Sequence, residues 1–295
     1  MTEVRTQADS PGGPTDRHGG RPGSAGTRTA IWLLVATPLV LLVTHYVAVI
    51  PHEFAHSTVA WLLGLKPEPG NITWGGSSPT NVLLLWDINE NVDYSAAFAA
   101  GQGTAVAMVA FAGPGLVNGG FYLLSRWLIG RSWFDARPVA TYVLFWFLWI
   151  NLANVYCYVP LRTFSDGGDV HHFLLGTGLS PWWVYAVIGV LVLWGIVDGY
   201  RRVVPRTLAI CGFDAAVLRA IVLLTATAIL FVYYALPAIW ESDAISRFMG
   251  WTSMLLAPVV LVLTWRRIVL TPTGPAVFDP HPPSDTSIDT SMEKA

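Results

Sequence analysis

Three residues in one short stretch have the types and spacing to hold a metal ion and to hydrolyse a bond beside it. They are His52, Glu53 and His56, in the pentapeptide His-Glu-Phe-Ala-His. On a helix, residues four apart share a face, so two imidazoles at that spacing can point at one ion. The glutamate between them then lies beside the ion, where it can take a proton from a water held there. A pattern with three set positions recurs by chance, and in a soluble chain it would say little. Here it stands inside an apolar run from Ile31 to Leu65. Two histidines and a glutamate are costly to bury at membrane depth and are rare there without a task. His45, seven residues upstream, falls on roughly the same helix face; it either supports the site or is an interior histidine bonded elsewhere.

Two histidines leave a catalytic zinc site short of one protein ligand, because such sites use three and keep a fourth position open. The missing ligand must come from another part of the chain. A second polar constellation, Arg162-Thr163-Phe164-Ser165-Asp166-Gly167-Gly168-Asp169-Val170-His171-His172, follows a later apolar run. Asp166 is the leading candidate, since the two glycines after it allow close approach to another backbone. Asp169, His171 and His172 are the alternatives, and a solvated glycine turn is the reading without a metal.

The elements that must position these groups are membrane spans. The 295 residues are 53% hydrophobic and only 12% charged, and the mean hydropathy is +0.50. A soluble domain carries about twice that charged fraction. The 14 tryptophans, many near the ends of apolar runs, match the aromatic belts of a bilayer interface. The net charge of -2 gives no sign of a nucleic-acid partner. Cys157 and Cys211 form neither a metal-ligand spacing nor a disulfide framework and read as small core residues.

The expected fold is an all-α polytopic membrane protein of about six transmembrane helices, with a short membrane-associated β-hairpin after the first. Residues 1–28 read as a disordered arm and 271–295 as a disordered tail, both rich in polar residues without apolar periodicity. The first apolar run is too long for a cleaved signal and reads as a retained span. At about 35 residues it exceeds what a ~30 Å hydrocarbon core requires, and Pro51 is expected to kink it beside His52. Within 67–94, turn residues flank two apolar stretches, Asn71–Trp74 and Val82–Ile88, which read as the strands of the hairpin. Further spans are expected at 104–128, 139–159, 182–199, 214–238 and 251–265. Residues 29–200 then form the core that carries the site, and 201–270 add two helices. Arginines cluster at alternate connections (Arg126, Arg131 and Arg137; Arg201, Arg202 and Arg206; Arg266 and Arg267). By the positive-inside rule this sets both termini in the cytoplasm.

Three separated pieces of the chain together resemble the site-2 protease family of intramembrane zinc metalloproteases. They are His52-Glu53-Phe54-Ala55-His56, then Ala112-Gly113-Pro114 with Asn118, then Asn151, Asn154, Pro160 and Asp166-Gly167-Gly168, in the family's order. The resemblance covers roughly residues 40–180. It implies that His52, His56 and Asp166 bind Zn2+ and that Glu53 activates the attacking water. It also implies that Asn154, with Asn151 as its rival, donates a hydrogen bond to substrate backbone or to the oxyanion. The interval from Pro160 to Asp166 is longer than is usual in the family, Ser165 stands where a leucine is common, and Asp169 stands where a basic or apolar residue is common.

The function expected from these readings is that of an intramembrane zinc metalloendopeptidase in the cell (plasma) membrane. Its partners would be the lipid bilayer and a membrane-spanning protein substrate held extended along a hairpin edge. A catalytically inactive scaffold of the same fold and a metal or proton transporter are the competing classes. An intact Glu53 speaks against the scaffold, and a transporter would show flux without a cleaved product.

Overall fold

The computed structural model describes residues 24–271. The expected arm and tail therefore lie, for residues 1–23 and 272–295, outside the described residues. In chain order the helices are α1 (Ser24–Leu62), α2 (Pro79–Leu84), α3 (Tyr94–Ala99), α4 (Gly103–Leu128), α5 (Pro138–Leu161), α6 (Asp169–Thr177), α7 (Pro181–Ile210), α8 (Ala216–Ile239) and α9 (Ala244–Leu270). Six of them, α1, α4, α5, α7, α8 and α9, are long and apolar enough to cross a membrane. The protein is an all-α, multi-pass membrane protein. Helix α1 begins at Ser24, inside the stretch expected to be irregular, and it runs through Pro38 and Pro51 as one element.

Helix α5 is the axis of the bundle. Its apolar window is 72% buried, against 22% for α9. The reason lies in its side chains: Tyr142, Phe145, Trp146 and Trp149 are all fully enclosed. The Trp149 indole N–H donates to the Ala226 carbonyl of α8 at 2.8 Å, so a polar atom at this depth has a partner. Outward faces such as Val190 and Leu193 on α7 and Val262 and Leu263 on α9 are exposed and apolar, as a lipid-facing surface requires. At one end of the bundle the arginines meet acidic or carbonyl partners. Arg126 and Arg202 both reach Asp198, Arg206 reaches Asp135 and the Ile129 carbonyl, and Arg267 reaches the Arg201 carbonyl.

The expected β-hairpin is not formed. Among the described residues the connection contains no strand, only one antiparallel bridge between Thr73 and Asn89. Val82–Ile88, expected to be its second strand, instead begins inside helix α2. Ser78 accepts a hydrogen bond from the Asn81 N–H, and Pro79 stands in the first turn, both strong helix-start signals. Leu85 then ends the helix in the left-handed region at φ 49°, which no strand allows. Buried polar groups organise the connection in place of a ladder. The Lys66 ammonium donates to Ser57 Oγ and to the Asn71 and Glu90 carbonyls. Asn81 donates to the Trp74 and Gly76 carbonyls. Apolar stretches of β-branched and aromatic type are compatible with either outcome, and the caps decide it.

Candidate metal centre

The site lies where α1, α4, α5 and α6 meet. His52 and His56 come from α1, one turn apart, and both are buried. The α4 stretch Ala112–Gly119 is wound more widely than an α-helix. Pro114 supplies no N–H there, and such wide turns favour functional positions. This stretch delivers two components. A Cβ at Gly113 would collide with His56 Nε2 and His52 Nε2, so glycine leaves the space in front of both rings open. Asn118, fully buried, accepts the His52 Nδ1–H at 2.6 Å.

The orientation of Asn118 follows from its other bonds. Its amide nitrogen donates to the Ala48 carbonyl at 3.3 Å and to Asn151 Oδ1 at 3.0 Å. Asn151 is oriented in turn by donating to the Phe147 carbonyl. The Asn118 oxygen therefore faces His52, and the proton of that imidazole is on Nδ1. His56 Nδ1 likewise donates to the Val109 carbonyl at 2.6 Å. With both Nδ1 atoms protonated, both Nε2 lone pairs point into the centre.

Asp169 supplies the third group. Its Oδ2 is 3.3 Å from His52 Nε2 and 3.4 Å from His56 Nε2, and the two Nε2 atoms are 3.0 Å apart. Three acceptors this close repel one another unless a cation, a proton or a metal ion, lies among them. Zinc ligands about 2.0–2.2 Å from a tetrahedral ion stand about 3.3–3.6 Å from one another. The observed separations approach that spacing, and two imidazoles with one carboxylate are a zinc donor set. The residues present fit a zinc ion. Burial on its own would raise the Asp169 carboxyl. A proton taken up by the facing His56 imidazole supplies positive charge that outweighs this and holds the carboxyl well below the usual carboxylate range.

Comparison with family models, with curated proteins and with solved structures found no match. The site therefore rests on its own geometry.

Asp166, the leading candidate for the third ligand, is not at the centre. It is exposed and accepts a hydrogen bond from Ser242 Oγ at 3.1 Å. The chain turns at Gly168, whose φ of 82° is left-handed and favours glycine. Asp169 then becomes the first residue of α6. Helix α6 lies tightly on α4, since a Cβ at Gly176 would collide with the Gly103 carbonyl oxygen. That close packing carries Asp169, not Asp166, to the histidines. His172 is not part of the close group of His52, His56 and Asp169 and stacks on Tyr94 with ring centroids 4.1 Å apart.

Glu53 lies at the edge of the centre, with Oε1 4.0 Å from His52 Nε2. A second carboxyl, Glu90, lies close enough to act electrostatically on Glu53 and accepts the Tyr94 hydroxyl at 2.7 Å. Glu53 also lines a cavity of about 550 Å³ bounded by α1, the segment 84–88, the end of α5 and the segment 233–241 at and just beyond the end of α8. Asn154, expected to face a substrate, does line this cavity. Its amide donates to the Ile150 carbonyl and to the Tyr234 hydroxyl, both at 3.1 Å. Asn151 belongs instead to the Asn118 chain behind His52. His45 bonds the Leu84 carbonyl and lies 3.4 Å from the Tyr234 hydroxyl, apart from the centre.

Two contributors escaped sequence reasoning. Glu90 is one of three acids in the segment 87–93, with Asp87 and Asp93, and nothing local distinguishes it. Tyr158 stacks on His52, with ring planes 13° apart, and its hydroxyl is 3.2 Å from His52 Nε2. One tyrosine among ten carries no local signal of that role.

Proposed function

We propose that the protein is an intramembrane zinc metalloendopeptidase of a cell membrane, akin to the site-2 protease family, with His52, His56 and Asp169 as zinc ligands. The observation that carries this reading is the convergence of two Nε2 lone pairs and a carboxylate near zinc-ligand spacing, with the Glu53 carboxyl beside them on a cavity. A zinc ion held by His52, His56 and Asp169 would supply Lewis-acid chemistry, lowering the pKa of a water and polarising a carbonyl. Glu53 then acts as general base for that water and as general acid toward the departing amine. The water oxygen bonds to the carbonyl carbon, the C–N bond breaks, and the proton taken by Glu53 passes to the nitrogen. Glu90, held by Tyr94, keeps the Glu53 carboxyl oriented. The cavity beside Glu53 offers room for a locally unwound stretch of a membrane-spanning substrate. Asn154, Arg162, Tyr233, Tyr234 and Glu241 line it together with residues of the segment 84–88 and offer polar groups to such a stretch.

The test is zinc content of detergent-purified protein, together with a comparison of membrane-protein fragments from cells carrying wild type or Glu53→Gln. About one zinc per chain is expected in wild type and in Asp166→Ala, with loss in His56→Ala and Asp169→Ala. Fragments present with wild type and missing with Glu53→Gln are expected. A folded wild type that takes up no zinc, or fragment sets identical with and without Glu53, would refute the reading.

A further inference from the structure

We infer that the Tyr158 hydroxyl is a hydrogen-bond donor to the oxygen that gains negative charge during peptide-bond attack. The inference rests on the metalloprotease reading and adds to it a residue that touches the reacting atoms. Of the groups around the ligand atoms, Glu53 and Tyr158 line the 550 Å³ cavity, whereas His52, His56 and Asp169 do not. A carbonyl approaching from the cavity meets these two side chains first. Tyr158 is placed by the end of α5, where Val159 leaves helical geometry at φ -138°, ψ 118° ahead of Pro160. Its ring is held flat against the His52 imidazole.

The acceptor of the phenol proton decides its role. The Tyr158 oxygen is 3.2 Å from His52 Nε2. The Asn118 contact keeps the imidazole proton on Nδ1, so Nε2 is the acceptor and the hydroxyl is the donor. Once that lone pair is engaged as a ligand, it can no longer accept. The hydroxyl would then have a hydrogen free for an oxygen entering from the cavity that Tyr158 lines. A donor aimed there stabilises a developing oxyanion and costs no reorganisation. The phenol keeps its proton throughout; the proton balance of hydrolysis runs through Glu53 alone.

The test uses cobalt-loaded protein in detergent and acetohydroxamate, an anion that binds an open metal position and presents an oxygen to a nearby donor. Tyr158→Phe keeps the stacked ring and removes one oxygen. Cobalt stoichiometry and the visible bands without acetohydroxamate are expected to match wild type. Acetohydroxamate affinity is expected to fall about 10- to 100-fold, the scale of one hydrogen bond to a charged group. Tyr156→Phe, whose hydroxyl faces Ser253, is expected to leave that affinity unchanged. A 4-fluorophenylalanine at position 158 repeats the test if Tyr158→Phe is poorly folded. Unchanged acetohydroxamate affinity, or loss of cobalt, in both replacements would overturn the donor role while leaving the metal centre standing. A wild type that takes up no cobalt would overturn the metal centre, and the donor role with it.

Discussion

Replacing Asn118 tests whether the metal centre depends on a residue that touches no ion. Asn118→Ala removes three contacts at once: the acceptor of the His52 Nδ1–H and the donor to both the Ala48 carbonyl and Asn151 Oδ1. All three partners are buried. Polar contacts within membrane proteins average about 0.6 kcal/mol, whereas a buried group left unpaired costs about 1–3 kcal/mol. For three such groups the first figure gives a loss of stability of about 2 kcal/mol and the second about 3–9 kcal/mol. The effect on the metal is separate. Without its acceptor, the His52 ring is free to rotate and to carry its proton on Nε2, which blocks ligation. Loss of a partner of this kind weakens metal affinity about 10- to 100-fold, or about 1.4–2.7 kcal/mol. The assay is a zinc titration against a chelator of known affinity, run beside thermal unfolding in the same detergent. Asn118→Asp retains the acceptor, so its affinity is expected to lie closer to wild type while stability still falls. Wild-type zinc affinity in Asn118→Ala, in a background where His52→Ala abolishes binding, would refute the claim that the amide sets the imidazole tautomer.

Gly113→Ala is expected to abolish metal binding with little change in the surrounding helices, because the new Cβ would collide with the two Nε2 atoms; zinc content and circular dichroism check it together. Glu241→Gln removes the anion beside Arg162, which it meets at 2.5 Å, and weakens the bond from Ser165 Oγ. With Arg162 a quarter exposed, the cost is expected to be about 1–2 kcal/mol, below the 3–5 kcal/mol of a fully buried pair, and the zinc content unchanged; thermal unfolding measures the first and metal analysis the second. Reporter fusions at the two ends are expected to report the same, cytoplasmic side, since the arginines of alternate connections gather at one end of the bundle; opposite signals would refute that orientation.

The residues legible in the sequence were those whose geometry is local. A four-residue interval puts His52 and His56 on one face of any α-helix, and Glu53 follows from the same turn. Uninterrupted apolar length likewise specifies the spans, because lipid demands that every backbone group be paired within the helix. The connection between α1 and α4 was misread because its apolar stretches suit a strand or a short helix equally. The Ser78–Pro79 cap and the left-handed Leu85 settle that choice, and both operate only once Asn81 has its buried partners.

What tertiary structure alone decided is which distant groups complete the centre. Asp166 and Asp169 are three residues apart, flank the same glycines and have the same chemistry. The difference between them is the turn at Gly168 and the contact of Gly176 with Gly103, which set the start and the depth of α6. Asn118 and Tyr158 reach His52 across 66 and 106 residues, through the wide turns of α4 and the irregular end of α5. Sequence by itself determined a membrane helix able to offer two imidazoles and a carboxylate. The carboxylate that joins the two imidazoles, the tautomers and the hydroxyl beside them depend on how four helices pack, because each is a contact between segments that no local rule connects.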